Sequence, residues 1–171
     1  RYTIFGKNPD KIWEFKNKDS LSLMPTFQAT YLFPLTKETN ELSKTLTPKL
    51  SLKLSTPHTK DIRKTDRKIN YNNVYDLNRL GIDESNEGGV SLTYGYEYAV
   101  KKKSNSEEKM KFGLANNLRF DDNEDLPSNS NLGDKISDFV GIFNYKPNKN
   151  FKFDYDFSLK NNLSDKNYEL Y

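Results

Sequence analysis

The feature that most constrains this 171-residue sequence lies near its C-terminal end, where apolar and polar side chains alternate without interruption through residues 151–160. Successive side chains of an extended strand point to opposite faces, so this period of two predicts a β-strand with one apolar and one polar face. The apolar positions are Phe151, Phe153, Tyr155, Phe157 and Leu159, and the polar ones are Lys152, Asp154, Asp156, Ser158 and Lys160. Such an apolar face packs against either a protein core or lipid, and one strand does not distinguish the two.

The same period recurs along the chain, whereas the spacing of an amphipathic helix does not. Strands are predicted within residues 10–17, 23–35, 46–55, 90–100, 109–120, 136–145 and 151–160, and another begins at the C-terminal YELY. The facing of residues 136–145 stays open, because two sets of apolar side chains compete for the same face: Phe139, Phe143 and Tyr145 against Val140 and Ile142. The sequence therefore predicts an all-β protein of about seven or eight strands in an antiparallel up-and-down meander.

The connections between the predicted strands alternate in length. Residues 101–108 and 146–150 are short polar connections, whereas residues 61–89 and 121–134 are long ones. Outer-membrane barrels show this asymmetry, with short turns at the periplasmic end and long loops outside. A soluble meander has no such requirement, so the connection lengths favour the wall of a barrel.

Proline positions predict where strands end. Proline has no amide hydrogen, so it cannot donate to the ladder of a sheet and is found at strand ends, edges or bulges. Pro25, Pro34 and Pro57 stand in or beside predicted strands, and each is expected to mark a strand end.

The composition combines high polarity with many aromatic residues. Charged residues make up 30% of the chain and aromatic residues 13%. Disordered chains are poor in aromatics, so this chain is expected to fold. No apolar run reaches the length of a transmembrane helix, whereas the strands of a barrel are only half apolar. The net charge of +3 is scattered, which argues against a nucleic-acid-binding surface, and the chain has no cysteine.

Residues that could carry catalysis or hold a metal ion are scarce. The single histidine, His58, has no identifiable partners for a catalytic triad or a zinc site. The carboxylates of residues 121–125 lack the spacing of an EF-hand loop, and the glycines at 88–89 do not begin a phosphate-binding loop. We therefore predict that the protein is not an enzyme and that it has no cofactor and no metal site.

The two kinds of strand position are expected to face two environments. In a barrel the polar face lines a hydrated lumen and the apolar face contacts lipid, whereas in a soluble sandwich the apolar faces pack together. Strand lengths of roughly ten residues favour the barrel. Candidate lumen-facing residues are Lys111, Arg119, Lys152, Asp154, Asp156 and Lys160. Candidate lipid-facing residues are Val90, Leu92, Tyr94, Tyr96, Phe112, Leu114, Phe151, Phe153, Tyr155 and Phe157.

Residues 75–98 resemble the C-terminal barrel region of the LptD family of LPS-assembly proteins, also called organic solvent tolerance proteins. In that family a loop with Asn-Arg, an apolar residue, glycine and aspartate precedes a glycine and a strand. The matching positions here are Asn78, Arg79, Leu80, Gly81, Asp83 and Gly89, followed by Leu92 through Tyr96. Residues 46–57 and 125–159 are similar to flanking segments of the family, so the resemblance spans roughly residues 20–160.

The resemblance implies that residues 1–171 are a fragment of one very large outer-membrane β-barrel domain, with the rest of the barrel and an N-terminal periplasmic domain outside it. The family is a translocon of the bacterial outer membrane that inserts lipopolysaccharide (LPS) into the outer leaflet. Its implied partners are an LptE-type lipoprotein plug, periplasmic LPS bridge proteins, LPS itself and outer-membrane lipid. Many members carry cysteines near the C-terminus, and these have no counterpart here.

Within this interpretation, the lumen-facing cations Lys111, Arg119, Lys152 and Lys160 are expected to offset the phosphates of a passing lipid. Two other classes of protein are compatible with the strand pattern. A porin or a TonB-dependent receptor would share the alternation but lack the pattern of residues 75–98. A soluble antiparallel β-sandwich that binds a ligand or carbohydrate would pack its aromatic faces against each other.

Overall fold

The alternating segments form the strands of one large antiparallel sheet. The computed structural model of the protein describes residues 2–3, 20–21, 24–56, 61–82, 87–163 and 166–170. Eight strands make up the sheet, and two further strands of two residues each pair separately. In chain order the strands are β1 (Tyr2–Thr3), β2 (Ser20–Leu21), β3 (Thr26–Leu32), β4 (Leu35–Glu38), β5 (Leu42–Ser55), β6 (Gly89–Lys102), β7 (Glu108–Arg119), β8 (Phe139–Asn148), β9 (Phe151–Leu159) and β10 (Lys166–Leu170).

The chain runs up and down through the sheet. From β5 to β10 each strand pairs antiparallel with the next one in the sequence, and β3 and β4 both pair with β5. This confirms the predicted all-β antiparallel meander, whose sheet does not close on itself within these residues. The one helical element among the described residues is a 3-10 turn at Ser128–Ser130. The part of the chain that the structure describes contains no helix with the length and hydropathy of a membrane span.

Pro34 divides one edge strand into two. The strands β3 and β4 keep the same register on β5, with a gap between them at residues 33–34. At this gap the amide of Phe33 donates to the carbonyl of Pro48 over 3.1 Å, but Pro48 has no amide hydrogen to donate in return. Pro25 directly precedes β3, so the strand ends predicted at Pro25 and Pro34 are confirmed. Pro57 lies outside the described residues.

The turn predicted at residues 146–150 is shorter than expected. Strand β8 continues to Asn148, and a bulge in its pairing with β9 accommodates Pro147. The side-chain oxygen of Asn148 accepts the amide hydrogens of Asn150 and Phe151, each over 3.0 Å. The hairpin therefore turns within two residues, because an asparagine side chain satisfies the amides that would otherwise require a longer loop.

Other predicted bounds also shift. Strand β5 begins at Leu42, before the predicted start at residue 46. Strand β8 begins at Phe139 rather than at residue 136, and Ile136 makes only an isolated bridge to Leu118. The strand predicted within residues 10–17 lies outside the described residues.

The connections lie at the two ends of the sheet according to their length. The connections that follow β5 and β7 are long and share one end, whereas those that follow β6 and β8 are short and share the other; the connection after β9, residues 160–165, is a short one at the end with the long connections. This confirms the predicted alternation of long and short connections. We call the face of the sheet that the long connections cover the inner face, and the opposite one the outer face.

Pairing across the sheet resolves the facing of residues 136–145. Phe143 lies directly opposite Tyr155 of β9, so both side chains belong to the outer face. Val140 and Ile142 point to the inner face, where they are 0% and 4% exposed. The aromatic set therefore faces outward, because the aliphatic set is needed for the core beneath the long connections.

The outer face presents a continuous apolar surface that nothing in the described chain covers. Among the central strands Asn116 interrupts it: this residue lies opposite Tyr94, and its amide donates to the carbonyl of Ser137 over 2.7 Å. Lys37 and Lys44, which pair with each other, lie on the same face near the end of the sheet with the short connections. A patch of this extent is far larger than the scattered apolar residues of a soluble surface. Its exposed members include Phe27, Tyr31, Leu46, Leu50, Leu52, Leu54, Tyr94, Tyr96, Tyr145, Phe151 and Phe153.

Candidate functional site

Residues 61–82, which we call the strap, fold back over the inner face of the sheet. Ile69, Val74 and Leu80 of the strap are buried in one apolar cluster. The same cluster includes residues of β8 and of the connection between β7 and β8. The strap is thus held to the sheet by a small hydrophobic core on the face that otherwise carries polar side chains.

Two glycines of the sheet make room for two tyrosines of the strap. A Cβ atom at Gly113 would overlap the ring of Tyr71, and one at Gly95 would meet the backbone carbonyl of Leu114 on β7 as well as the hydroxyl of Tyr75. The two rings contact each other edge to face, with centroids 6.3 Å apart. Glycine therefore allows both rings to lie directly on the backbone of β6 and β7.

A buried cluster of charged side chains lies beside these rings. Glu87 is contacted by three cations: Arg79 Nε at 2.7 Å, Arg119 Nη1 at 2.7 Å and Lys53 Nζ at 3.3 Å. All four side chains are between 2 and 4% exposed. The contact of Arg79 Nε is close enough for an ion pair but lacks the alignment of a hydrogen bond. The Glu87 carboxylate thus forms ion pairs with three cations, and all four groups are shielded from water.

Arg79 links the strap to two strands of the sheet. Its guanidinium donates to Ser91 Oγ over 3.0 Å and to Thr93 Oγ1 over 3.2 Å, both on β6. It also donates to Asn117 Oδ1 on β7 over 2.9 Å and to the strap's own Val74 carbonyl over 3.3 Å. A planar guanidinium with five donors suits such a set of acceptors, which a lysine could not bind together.

Arg119 and Lys53 complete the cluster from the sheet. Arg119 also donates to the carbonyl of Gly88, and Lys53 donates to the carbonyl of Leu77 in the strap over 2.9 Å. Gly89 has a φ of +88°, and a Cβ there would lie 3.0 Å from Arg119 Nη2. A glycine at this position therefore lets the chain turn into β6 against the guanidinium.

The surrounding cations keep Glu87 ionised. Burial alone would raise the pKa of the Glu87 carboxyl, but the charges of Arg79, Lys53 and Arg119 outweigh it and hold that pKa below its ordinary value of 4.5. A carboxylate whose pKa is lower in the folded than in the unfolded state stabilises the fold above the unfolded-state pKa. That contribution is lost as the pH falls through the lower, folded-state value.

This pH dependence can be measured on the intact protein. We expect the free energy of unfolding to differ between the native protein and Glu87→Gln by a constant amount above pH 4.5, and the difference to shrink below it. Guanidinium unfolding in micelles, from about pH 3 to about pH 7, gives both values, and the glutamine variant subtracts the effects of other carboxylates. A difference that persists unchanged at the acid end would contradict the assignment.

A second charge cluster, more accessible than the first, surrounds Glu97. Lys49 Nζ lies 2.8 Å and Lys111 Nζ 3.4 Å from its carboxylate, and the hydroxyl of Tyr71 donates to it over 3.3 Å. Burial, reinforced by the negative charge of Glu97, raises the pKa of the Tyr71 hydroxyl, so this hydroxyl remains a donor. Lys49 Nζ also lies 5.4 Å from the centre of the Tyr71 ring, a cation–π contact.

The candidate lumen-facing residues are found together on the inner face, with one exception. Lys111 and Arg119 project from β7, and Lys152, Asp154 and Asp156 from β9. Lys160 follows the last residue of β9 and lies outside the sheet. Arg119 is enclosed with Glu87, so the structure gives it a role in holding the chain together rather than in offering its charge to a passing molecule.

The candidate lipid-facing residues share the outer face. Direct pairing places them on the same side of the sheet, since Tyr96 lies opposite Leu114 and Tyr155 opposite Phe143. The aromatic rings stack along β9, where Tyr155 and Phe157 have centroids 5.5 Å apart. The candidates that lie on this face are Val90, Leu92, Tyr94, Tyr96, Phe112, Leu114, Phe151, Phe153, Tyr155 and Phe157.

The residues of the family-like motif lie where the strap meets the sheet. Arg79 and Leu80 are buried, the first in the charge cluster and the second in the apolar cluster. Gly81 has a φ of +60°, and its amide donates to the carbonyl of Asn78 over 3.1 Å, closing a turn. Asp83 lies outside the described residues.

Several residues of the site were missed by sequence reasoning. Glu87 and Lys53 read as ordinary polar residues, and Tyr71 and Tyr75 as parts of a long loop. The small residues on the polar face of β6 and β7 are the one signal that could have shown that another segment packs there. His58 lies outside the described residues, and among those described no group of His, Asp or Glu side chains could hold a metal ion.

A sheet with an apolar outer face, a polar inner face and long connections at one end only has the construction of an outer-membrane barrel wall. Over residues 3–169 the chain matches the model of the family LptD, LPS transport system D, and it belongs to this family. Its function is therefore in the transport and assembly of LPS in the outer membrane, as the motif of residues 75–98 predicted. The family is a transport and assembly family rather than an enzyme family. A comparison with curated proteins gives no significant match.

Proposed function

We propose that this chain is a section of the wall of the conduit through which LPS crosses the outer membrane, with its inner face toward the lumen and its outer face toward lipid. The separation of the two faces is the observation that carries this proposal. The outer face exposes a continuous apolar surface, whereas the inner face carries charged side chains and the strap. Membership in an LPS transport family gives the molecule that such a conduit conveys.

The accessible charges of the inner face are the parts of the lumen that LPS would meet. Lys111 is held 3.4 Å from Glu97, and Lys152 lies beside Asp154. Each cation therefore has a carboxylate partner, and a phosphate of LPS would exchange with that partner rather than fill an empty site. Because each lysine already has a carboxylate partner, LPS would bind it only weakly. Weak binding favours transport, since LPS must also leave the site.

Partners follow from the same orientation. We assign the short turns to the periplasmic side, as in outer-membrane barrels generally. Periplasmic LPS bridge proteins would then deliver LPS to the end of the sheet with the short turns, and an LptE-type lipoprotein plug would occupy the lumen beside the strap. The family supports LPS transport partners in general, and the polar inner face is the surface that both would meet.

Neighbouring residues on opposite faces provide the test of this orientation. We expect spin labels at Phe112→Cys and Phe153→Cys, in the full-length protein in lipid, to be relaxed mainly by oxygen, which concentrates in the bilayer. Labels at Lys111→Cys and Asp154→Cys, one residue away, should be relaxed mainly by a water-soluble nickel complex. Residues 1–171 contain no cysteine, and any free cysteine elsewhere in the full-length protein is replaced before labelling.

The control is a label at Ser104→Cys in an exposed turn. This label should be relaxed by the nickel complex whether the sheet is a barrel wall or part of a soluble sandwich. Equal oxygen relaxation at both members of each pair would mean that both faces meet the same environment. That result would reject the barrel wall. A soluble sandwich predicts a different pattern: labels at residues 112 and 153, packed in its core, would respond weakly to both reagents, and those at residues 111 and 154 would respond to nickel.

A further inference from the structure

We infer that Glu87 is the positioning residue that locks the strap across the inner face and so narrows the conduit. The inference rests on the proposed function, because only a lumen can be narrowed. The strap is also held by the apolar cluster and by the hydrogen bonds of Arg79, but Glu87 is the anion that joins it through charge to β5 and β7. Removing that carboxylate should therefore release part of the strap population without changing the sheet.

Glu87 connects three segments that are distant in the sequence. Arg79 comes from the strap, Lys53 from β5 and Arg119 from β7, and all three cations contact the same carboxylate. Lys53 also donates to a strap carbonyl, and Arg79 donates to side chains of β6 and β7. The Glu87 carboxylate is thus the one anion that all three cations contact. Without it, the three cations would repel one another.

Burial makes this network sensitive to the loss of one charge. With Glu87 neutral, the three buried cations would lose the one carboxylate that contacts all of them, and only the more distant charges of Asp121 and Asp122 would act on Arg119. An uncompensated charge away from water is far less favourable than a hydrated one. Arg79 is the cation that can escape, because it lies on the strap, while Lys53 and Arg119 are fixed on strands. The repulsion therefore acts to lift the strap.

The strap covers the middle of the inner face rather than its rim. Tyr71 lies over Gly113 of β7, and Tyr75 lies over Gly95 of β6. Both glycines are at central positions of their strands. A strap fixed here narrows the space beside the sheet at the depth where the sheet spans the membrane.

The position of the strap can be measured directly. Spin labels at Asp76→Cys in the strap and Ser104→Cys in a turn of the sheet, both exposed positions, report the distance between the two. In the full-length protein in lipid we expect one narrow distance distribution. Glu87→Gln should add a second, longer distance, whereas Glu107→Gln, which also removes a carboxylate paired with two lysines but not bonded to the strap, should leave the distribution unchanged.

A second readout on the same variants tests the narrowing. Uptake of a small labelled sugar into vesicles that contain the full-length protein should rise several-fold in Glu87→Gln and remain at the native level in Glu107→Gln. An unchanged distance distribution in Glu87→Gln would overturn the lock, whatever the function. A released strap without increased uptake would overturn the narrowing, and the face-specific labelling described above shows separately whether the inner face lines a lumen at all.

Two milder variants keep the inference testable if Glu87→Gln does not assemble. Arg79→Lys retains the charge beside Glu87 but loses the bonds to Ser91 and Asn117, so it should release part of the strap population. Arg119→Met in the Glu87→Gln background removes one repelling cation without removing a contact of the strap, and should restore part of the narrow distance. Native-like distances in Arg79→Lys, or no restoration by Arg119→Met, would reject the lock.

Discussion

Replacing Arg79 with methionine is expected to lower the free energy of unfolding by about 3–5 kcal/mol, the range for removing one partner of a buried ion pair. The change removes an ion-pair partner of Glu87 and leaves Ser91, Thr93 and Asn117 without their shared donor. Guanidinium unfolding of the full-length protein in micelles measures the difference, and gel mobility of the folded form reports assembly.

The matched control is another arginine of the same strap. Arg63 binds Asp61, but its side chain is 53% exposed, so Arg63→Met should leave the free energy of unfolding unchanged within error. A loss of equal size in both variants would mean that any arginine of the strap matters to the same degree. That outcome would contradict the assignment of Arg79 to a buried anchor.

Placing valine at Gly113 is expected to lower the free energy of unfolding by about 1–3 kcal/mol, the usual range for overpacking a well-packed site. The backbone at Gly113 has an ordinary strand conformation, so the effect comes from the ring of Tyr71, which occupies the space that a side chain needs. The same titration in micelles measures it.

A double variant separates this overlap from any general effect of valine in the strand. Tyr71→Ala removes the ring, so Gly113→Val should cost less in the Tyr71→Ala background than in the native protein. Additive losses in the free energy of unfolding would show that the valine acts independently of the strap. The packing of Tyr71 on β7 would then not contribute to holding the strap on the sheet.

The fold was predictable because its strands repeat one simple signal. An alternating pattern such as that of residues 151–160 specifies both the strand and its two faces. The residues at which individual strands begin and end were less predictable, since they depend on local side-chain chemistry. The oxygen of Asn148 closes a two-residue turn, and Pro34 splits an edge strand whose alternation continues across it.

The strap was not predictable, because its contacts depend on the third dimension. Nothing in the order of residues indicates that Glu87 meets Lys53 and Arg119, which lie on different strands. The facing of residues 136–145 was undecided for the same reason, since both of its apolar sets suit a strand. The structure decides it because Val140 and Ile142 complete the core that the strap requires.

The most direct test of the central claim is to ask whether LPS contacts the inner face while it is being transported. A photo-reactive amino acid at Asp156, on the inner face, and one at Tyr155, its outer-face neighbour, are placed in the full-length protein in cells. We expect an LPS adduct at residue 156 that disappears when new LPS synthesis is stopped, whereas any adduct at residue 155 persists with the resident outer leaflet. No adduct at residue 156 during active synthesis, or one that is indifferent to synthesis, would contradict the claim that this sheet lines the path of LPS.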